Sequence, residues 1–201
     1  PLTQLMMSLL RQRFNIHSGL MTWCRDLKEM YCYVSPPMPA GEVYGLRSRL
    51  ASGGDVGVRP VTVDGGRQGL EAFELRNERV LVPEAFFDRG MLGGPTVPEL
   101  ILGCVEKVKE HCQEREEVQA LLRNIVLVGG AADLPGIRPR TEHEVRALLK
   151  MRASDQLKAM LDSSEDVFVL NPPLLGGGVI KDEGADAAWR EPGERTTGAR
   201  P

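Results

Sequence analysis

The residues best suited to contact a ligand lie where an apolar run ends in two glycines. The run N-I-V-L-V occupies 124–128, and Gly129 and Gly130 follow it directly, before A-A-D-L-P-G. Such a run is typical of a strand buried on both faces, and two residues without a Cβ let another surface approach the backbone closely. The helix pattern that follows would turn free N–H groups and a positive dipole end towards the loop. The pattern therefore favours either a nucleotide-facing loop or an ordinary tight turn between a strand and a helix.

The loop matches neither of the two common phosphate-binding motifs. A P-loop needs Gly-Lys-Ser/Thr and a Rossmann fingerprint needs G-x-G-x-x-G, and this loop has neither pattern. His17, His111 and His143 are isolated, and no Ser/His/Asp set has a spacing that indicates nucleophilic catalysis. These residues therefore indicate no catalytic site.

The four cysteines are better suited to a core than to a metal site. Cys24 and Cys32, like Cys104 and Cys112, are eight residues apart, so each pair could share one helical face. Zinc usually takes a closer pair such as C-x-x-C, and the lack of a secretory signal favours reduced thiols. We expect buried core cysteines, since a free thiol packs like a small apolar group, and no metal site.

Composition and charge exclude two classes of function. The chain has 201 residues, of which 42% are hydrophobic and 26% charged, with a net charge of -3. This composition is ordinary for a globular protein and gives no strong direct nucleic-acid signal. No apolar run reaches the length of a membrane span. Arg138 and Arg140 flank Pro139, and this short basic stretch is expected to be a solvated loop.

Helical periodicity covers four stretches of the chain. The spacing predicts helices over 2–10, about 20–34, from Pro98 onwards, and about 140–151. The third of these helices would bury one apolar stripe, which consists of Leu100, Ile101, Cys104, Val105, Val108 and Cys112.

Short strand patterns fall between the helices. Residues 58–63 predict a strand, and the alternation in 73–75 and 80–82 predicts a strand pair joined by a turn. Pro83 would then open a short helix, because proline is favoured in a first helical turn. The run at 167–170 predicts a further buried strand, and the glycine-rich stretch 38–69 predicts a partly disordered surface region.

Five blocks of the sequence resemble actin. The run N-I-V-L-V-G-G-A-A-D-L-P-G-I-R-P-R (124–140) resembles the adenosine motif of the actin superfamily. The other blocks follow in actin's order and are L-T-Q-L-M-M-S-L-L (2–10), C-R-D-L-K-E-M-Y-C-Y-V (24–34), N-E-R-V-L-V-P-E-A-F-F (77–87) and L-L-G-G-G-V-I (174–180). Several blocks in register are not expected by chance. The resemblance implies an α/β, actin-like fold, shared with heat-shock chaperones and sugar kinases, of which this chain would be the C-terminal half.

The resemblance also implies a division of the chain into three regions. Residues 1–92 would form a subdomain-4-like region with the glycine-rich insert at 38–69. Residues 93–175 would form most of subdomain 3 and carry the adenosine loop. Residues 176–201 would be the return segment and a disordered tail, because their composition offers little apolar area to bury.

The resemblance assigns five residues to a nucleotide site. In the family, the R-D-x-K-E helix supplies a lysine and an acid near the adenosine ribose and base, and the matching residues are Lys28 and Glu29. Gly129, Gly130 and Ala131 match the loop against which the nucleotide lies. The alternative for Lys28 and Glu29 is an exposed ion pair worth well under about 1 kcal/mol. The implied cofactor of the full-length protein is ATP or ADP with Mg²⁺.

Departures from actin weaken the expected affinity for ATP and argue against catalysis. Asp133 and Leu134 stand where actin has an aromatic residue or methionine, and Leu170 and Asn171 replace its Lys-Tyr. The two Asp-containing hairpins that hold phosphates belong to the family's first half, which we expect to lie outside this chain. The run V-D-G-G (63–66) resembles such a hairpin only superficially, and its order among the blocks indicates a surface turn.

Two short stretches suggest a particular subfamily. N-E-R-V-L-V-P-E and C-Y-V-S are more similar to the sixth actin-related subfamily than to filament-forming actin. Members of that subfamily serve in nuclear chromatin-remodelling complexes. The resemblance therefore implies a nuclear scaffold subunit, bound to the protein subunits of a larger complex through surface segments such as 38–69 and 151–166, with an indirect association with chromatin.

Two other interpretations remain open. A divergent cytoplasmic actin would form filaments of the cytoskeleton and hydrolyse ATP, although the region 90–97 is shorter than actin's hydrophobic plug. A sugar kinase or heat-shock chaperone of the same superfamily is a third interpretation, and the actin-like blocks at 24–34 and 77–87 argue against it.

Overall fold

A computed structural model of the protein describes residues 2–14, 18–37, 48, 58–65, 71–112, 114–161 and 167–170. In these ranges the helices are α1 (Leu2–Arg13), a 3-10 turn (Ser18–Leu20), α2 (Met21–Tyr31), α3 (Glu78–Glu84), α4 (Arg89–Leu92), α5 (Val97–His111), α6 (Arg115–Arg123), α7 (Ile137–Arg152) and α8 (Asp155–Met160). The strands are β1 (Val61–Val63), β2 (Phe73–Leu75), β3 (Ile125–Val126) and β4 (Val169–Leu170). Within the same ranges, no helix has the length and apolar composition that crossing a bilayer requires.

The N-terminal part of the chain builds a first core around α1 and α2. Met6 and Leu10 of α1 recur at helical spacing and are fully buried, as is Leu27 of α2. The ring of Phe73 joins this core from β2, with its centroid 4.6 Å from that of Phe14. The predicted first helix is confirmed, whereas the second ends at Tyr31 rather than near residue 34. Its extension stops because the chain turns to extended backbone at Cys32, shortly before two prolines.

The strand pair predicted for 73–75 and 80–82 is wrong in its second member. β2 pairs antiparallel with β1, with Val63 opposite Phe73. Val80 and Val82 lie instead in α3, where both are buried. Their alternation does not indicate a strand, because this short helix is covered on several sides. Pro83 therefore lies near the end of α3 and does not open a helix.

The C-terminal part builds a second core from α5 to α8. Thr96 caps α5, and its side chain and that of Glu99 form a reciprocal capping box. The core side of α5 carries Leu102 and Val105, which pack with residues of α6, α7 and α8. The predicted stripe is therefore largely wrong, since Leu100 is 52% exposed and Cys104 and Val108 are also exposed. α5 carries apolar residues on two faces, and periodicity cannot decide which of them packs.

The strand predicted at 124–128 is short and exposed on one side. β3 contains only Ile125 and Val126 and pairs parallel with β4. Ile125 is partly buried against the second core, but Val126 and Val128 are 51% and 75% exposed. The prediction of burial on both faces is therefore wrong for this chain. The predicted strand at 167–170 is confirmed at Val169–Leu170, but its predicted burial is wrong on one side, since Phe168 and Leu170 are 48% and 44% exposed.

The four cysteines divide between core and surface. Cys24 and Cys32 are buried as predicted, and burial raises the pKa of the Cys32 thiol to about 12. Cys104 is exposed and Cys112 half-buried, so the prediction of a buried C-terminal pair is wrong.

Several predictions concern residues outside the described ranges. They include most of the insert 38–69, the block 174–180, the tail 176–201 and Asn171. Within the insert, the predicted strand is confirmed at Val61–Val63. The proposed boundary between the two larger regions, near residue 92, stays a prediction.

Arg140 lies in a helix and is fully buried, contrary to the predicted solvated loop. α7 begins at Ile137, and the side chain of Arg140 is 0% exposed. Its guanidinium lies 3.4 Å from the buried Glu84 carboxylate, donates to Ser35 Oγ at 2.8 Å and to Glu144 at 2.8 Å. The same group lies over the ring of Phe87, 5.1 Å from its centroid. One side chain thus joins α7, α3 and the segment after α2.

We predict that Arg140→Met lowers the free energy of unfolding by about 3–5 kcal/mol, because it leaves the Glu84 carboxylate buried without its cation. Urea unfolding of the full chain measures the change. The matched control is Arg138→Met, whose side chain is 44% exposed and 3.6 Å from Glu142, with an expected loss of about 0–1 kcal/mol. Equal losses in the two variants would contradict the assigned role of the buried pair.

Glu99 links the start of α5 to two arginines. Its carboxylate accepts from Arg89 at 2.7 Å, from Arg152 at 2.8 Å and from the backbone N–H of Thr96 at 2.9 Å. The hydrogen bond from Arg89 is the main cause that lowers the pKa of Glu99 from 4.5 to about 2. Because the folded-state pKa is depressed, the stabilisation by Glu99 is present above its ordinary pKa and is lost as the pH falls towards about 2.

We predict that Glu99→Gln destabilises the chain by about 1 kcal/mol at pH 7, through the lost cap and arginine contacts. The difference from the unsubstituted chain should shrink as the pH falls from about 4.5 to about 2. Thermal unfolding across this range measures it, with Glu110→Gln, an exposed glutamate of the same helix, as control. A difference that does not change with pH would refute the assignment.

Candidate nucleotide-binding face

The glycine loop between β3 and α7 is a series of tight turns. Gly129 has φ +95°, a left-handed conformation that a side chain would strain. Ala132 N donates to Gly129 O at 2.9 Å, and Leu134 N donates to Ala131 O at 3.3 Å. A second left-handed glycine, Gly136 with φ +83°, precedes the first turn of α7. The loop therefore folds on its own backbone and leaves Gly129 and Gly130 exposed.

Lys28 and Glu29 lie in the last turn of α2. Lys28 Nζ is 3.5 Å from Glu29 Oε1, and the two side chains are 8% and 45% exposed. The alternative of an exposed surface ion pair is therefore wrong for Lys28, which is buried. Because the aliphatic part of the Lys28 side chain is buried, its ammonium group can occupy only a narrow range of positions. These positions lie beside the Glu29 carboxylate, which is exposed to solvent.

The structure brings these two parts of the predicted site together. A Cβ built on Gly130 would lie 3.6 Å from Glu29 Oε1, which is ordinary van der Waals contact. Val34 N donates to Pro135 O at 2.8 Å, so the segment after α2 is bonded directly to the loop. A methyl group would fit at Gly130, whereas a large side chain would displace Glu29 or cover the loop.

The chemistry of this face suits the recognition of a polar, flat ligand. A half-exposed carboxylate can accept from hydroxyl or amine donors, and the exposed backbone of the glycines allows a flat group to approach. Asp133 is also exposed, while Leu134 is 3% exposed and belongs to the first core. The position after Ala132 is thus acidic and exposed. Over the part of the chain that the structure describes, no cluster of three or more His, Cys, Asp or Glu could hold a metal ion.

Sequence reasoning missed the groups that hold the face in place. The bond from Val34 N to Pro135 O joins backbone atoms, which no residue type reveals. Arg140 and Glu84 are buried partners from distant helices, and the only local signal was the helical spacing between Arg140 and Glu144. Of the five predicted site residues, the structure places Glu29 beside Gly130 and gives Lys28 a contact with Glu29.

The comparison with protein families identifies the class. The sequence profile described as Actin matches residues 17–168, which is more than half of the chain. The chain belongs to the actin family, and its α/β architecture is that of the actin-like fold.

Individual relatives point to two branches of that family. "Actin-like protein ARP6" of Yarrowia lipolytica is 35% identical over 117 residues, which cover 57% of this chain and 27% of the relative. "Actin-related protein 6" of Drosophila melanogaster is 36% identical over 94 residues, 46% of this chain and 21% of the relative. "Actin-related protein 2" of Drosophila melanogaster is 29% identical over 183 residues, 86% of this chain and 42% of the relative. The chain thus spans less than half the length of each of these relatives.

Proposed function

We propose that this chain belongs to an actin-related scaffold protein of the sixth subfamily and supplies the adenosine side of a structural nucleotide site. The relatives named ARP6 and Actin-related protein 6 support the branch, because their identities of 35% and 36% exceed the 29% of Actin-related protein 2. The 3.6 Å approach between the Gly130 Cβ position and Glu29 is the observation that supports the nucleotide site.

In this proposal the ligand is ATP or ADP, and in the full-length protein Mg²⁺ would bind its phosphates. Glu29 would accept from a ribose hydroxyl, and Lys28 would donate to the ribose or base from its fixed position. Gly129, Gly130 and Ala131 would form the flat wall against which the nucleoside lies. In this proposal the bound nucleotide stabilises the fold by occupancy.

The proposed partners are the protein subunits of a nuclear chromatin-remodelling complex, through which the protein would associate with chromatin indirectly. Segment 151–166 was one expected contact surface. Its described part contains α8, whose Leu157 is fully buried in the second core while Met151 is 68% exposed. The exposed side of this segment, rather than the whole of it, is therefore the candidate contact surface.

A second candidate is a divergent cytoplasmic actin that forms filaments and hydrolyses ATP. The observation in its favour is coverage, since the match to Actin-related protein 2 extends over 86% of this chain. The two candidates share the fold and the nucleotide face and differ in assembly.

We predict that Gly130→Trp abolishes the binding of ATP and ADP by the full-length protein, because an indole at this position would occupy the space in front of Glu29. Isothermal calorimetry measures the loss. The matched control is Gly103→Trp in α5, where an added Cβ meets no atom within 4 Å, and binding should be retained. Equal binding by the Gly130→Trp protein would remove this face from the nucleotide site.

We predict that the full-length protein stays in the supernatant when it is centrifuged at high speed with Mg-ATP and salt, as a scaffold subunit would. Conventional actin treated in parallel provides the pelleting control. Robust pelleting of the protein would reverse the order of the two candidates. This result would leave the nucleotide prediction untouched, because that prediction is measured by calorimetry on the soluble protein.

A further inference from the structure

A buried hydroxyl, that of Ser35, lies between the two charges of the Arg140–Glu84 ion pair. Ser35 is 3% exposed. Its Oγ donates to Glu84 Oε1 and accepts from Arg140 Nη1 at 2.8 Å. The direct distance between Arg140 Nη1 and Glu84 Oε1 is longer, at 3.4 Å. The hydroxyl therefore bridges the pair and supplies one hydrogen bond to each buried charge.

Ser35 also belongs to the segment that connects α2 to the glycine loop. The residue before it, Val34, is fully buried and donates its backbone N–H to Pro135 O at 2.8 Å. Arg140 donates further to Ser35 O at 3.2 Å and to Pro36 O at 3.3 Å. The hydroxyl thus acts one residue away from the backbone bond that joins the loop to the end of α2.

A movement of Ser35 would carry Val34 with it and change the distance between Glu29 and Gly130, because these two residues lie on the segments that the Val34 bond joins. We propose that Ser35 is a positioning residue of the nucleotide face, whose hydroxyl holds the end of α2 against the glycine loop. The consequence for ATP or ADP binding rests on the proposed function, whereas the positioning is a property of the chain without ligand.

Loss of the hydroxyl should weaken nucleotide binding without removing any group assigned to the ligand. Hydrogen bonds to charged partners are stronger than neutral ones, and Ser35 makes one to each member of the ion pair. Apparent affinity falls with the fraction of molecules in the binding-competent arrangement. In Ser35→Ala, Arg140 keeps its backbone acceptors at Ser35 and Pro36, so the effect is a partial loss.

Calorimetry with ADP on the full-length protein compares Ser35→Ala with the unsubstituted protein, and we expect the Kd to rise at least about threefold. The matched control is Ser154→Ala, whose hydroxyl lies 2.7 Å from Lys109 Nζ and 3.0 Å from Glu106 Oε2, beside the second core. It also removes a hydroxyl from an ion pair, and it should leave the Kd unchanged. Ser35→Thr, which keeps the hydroxyl, should bind more tightly than Ser35→Ala.

Hydrogen exchange of the full chain without nucleotide tests the positioning separately. We expect the N–H of Val34 to exchange faster in Ser35→Ala, while that of Leu10 in α1 exchanges as before and Ser154→Ala changes neither. Unchanged exchange at Val34, or equal acceleration at Leu10, would overturn the proposal, as would an unchanged Kd in a Ser35→Ala protein that binds ADP. If the unsubstituted protein binds no ADP, the proposed function fails, and the exchange at Val34 still decides whether Ser35 positions the loop.

Discussion

The arrangement of the candidate site depends on the buried guanidinium of Arg140. It lies 3.4 Å from Glu84, donates to Ser35 and Glu144, and covers the ring of Phe87. A charge without access to water is tolerated only when its partners surround it, so its contacts restrict where three segments can lie. α7 starts directly after the glycine loop, and Ser35 follows the helix of Lys28 and Glu29. Fixing Arg140 against Ser35 therefore also fixes the loop against the end of α2.

This constraint explains why two features that are common in sequences, a glycine pair and a Lys-Glu pair, lie at a defined distance in the structure. Two glycines after an apolar run occur in many turns, and a lysine next to a glutamate occurs on many helices. Their meeting is specific because the backbone bond from Val34 to Pro135 and the Arg140 contacts hold both elements at one distance. The same rigidity makes the departure from actin consequential. Asp133 is exposed on this loop, and a fixed loop cannot move this carboxylate far without breaking its turns.

How far the sequence predicts the structure depends on how many sides of an element are covered. α1 has one buried side and one exposed side, so its helical period is visible in the sequence and the prediction of a helix is confirmed. α3 is covered on several sides, which hides the helical period behind the alternation of Val80 and Val82. α5 carries apolar residues on two faces, and only the packing of α6 and α7 decides that Val105 is inside. The five site residues were found through resemblance to actin, because neither the ion pair nor the glycine loop has a period or spacing that requires a ligand.

The glycine loop is also the place where the two cores meet. Ile125 of β3 packs against the second core, whereas Leu127, Ala131 and Leu134 pack against the first. α7 also contributes to both cores, since Ile137 belongs to the first core and Val145 to the second. A ligand held between α2 and the loop would therefore stabilise the junction of the cores, by mass action, without any chemical step. Occupancy alone would then raise the free energy of unfolding, because the ligand would bind the folded chain and not the unfolded one.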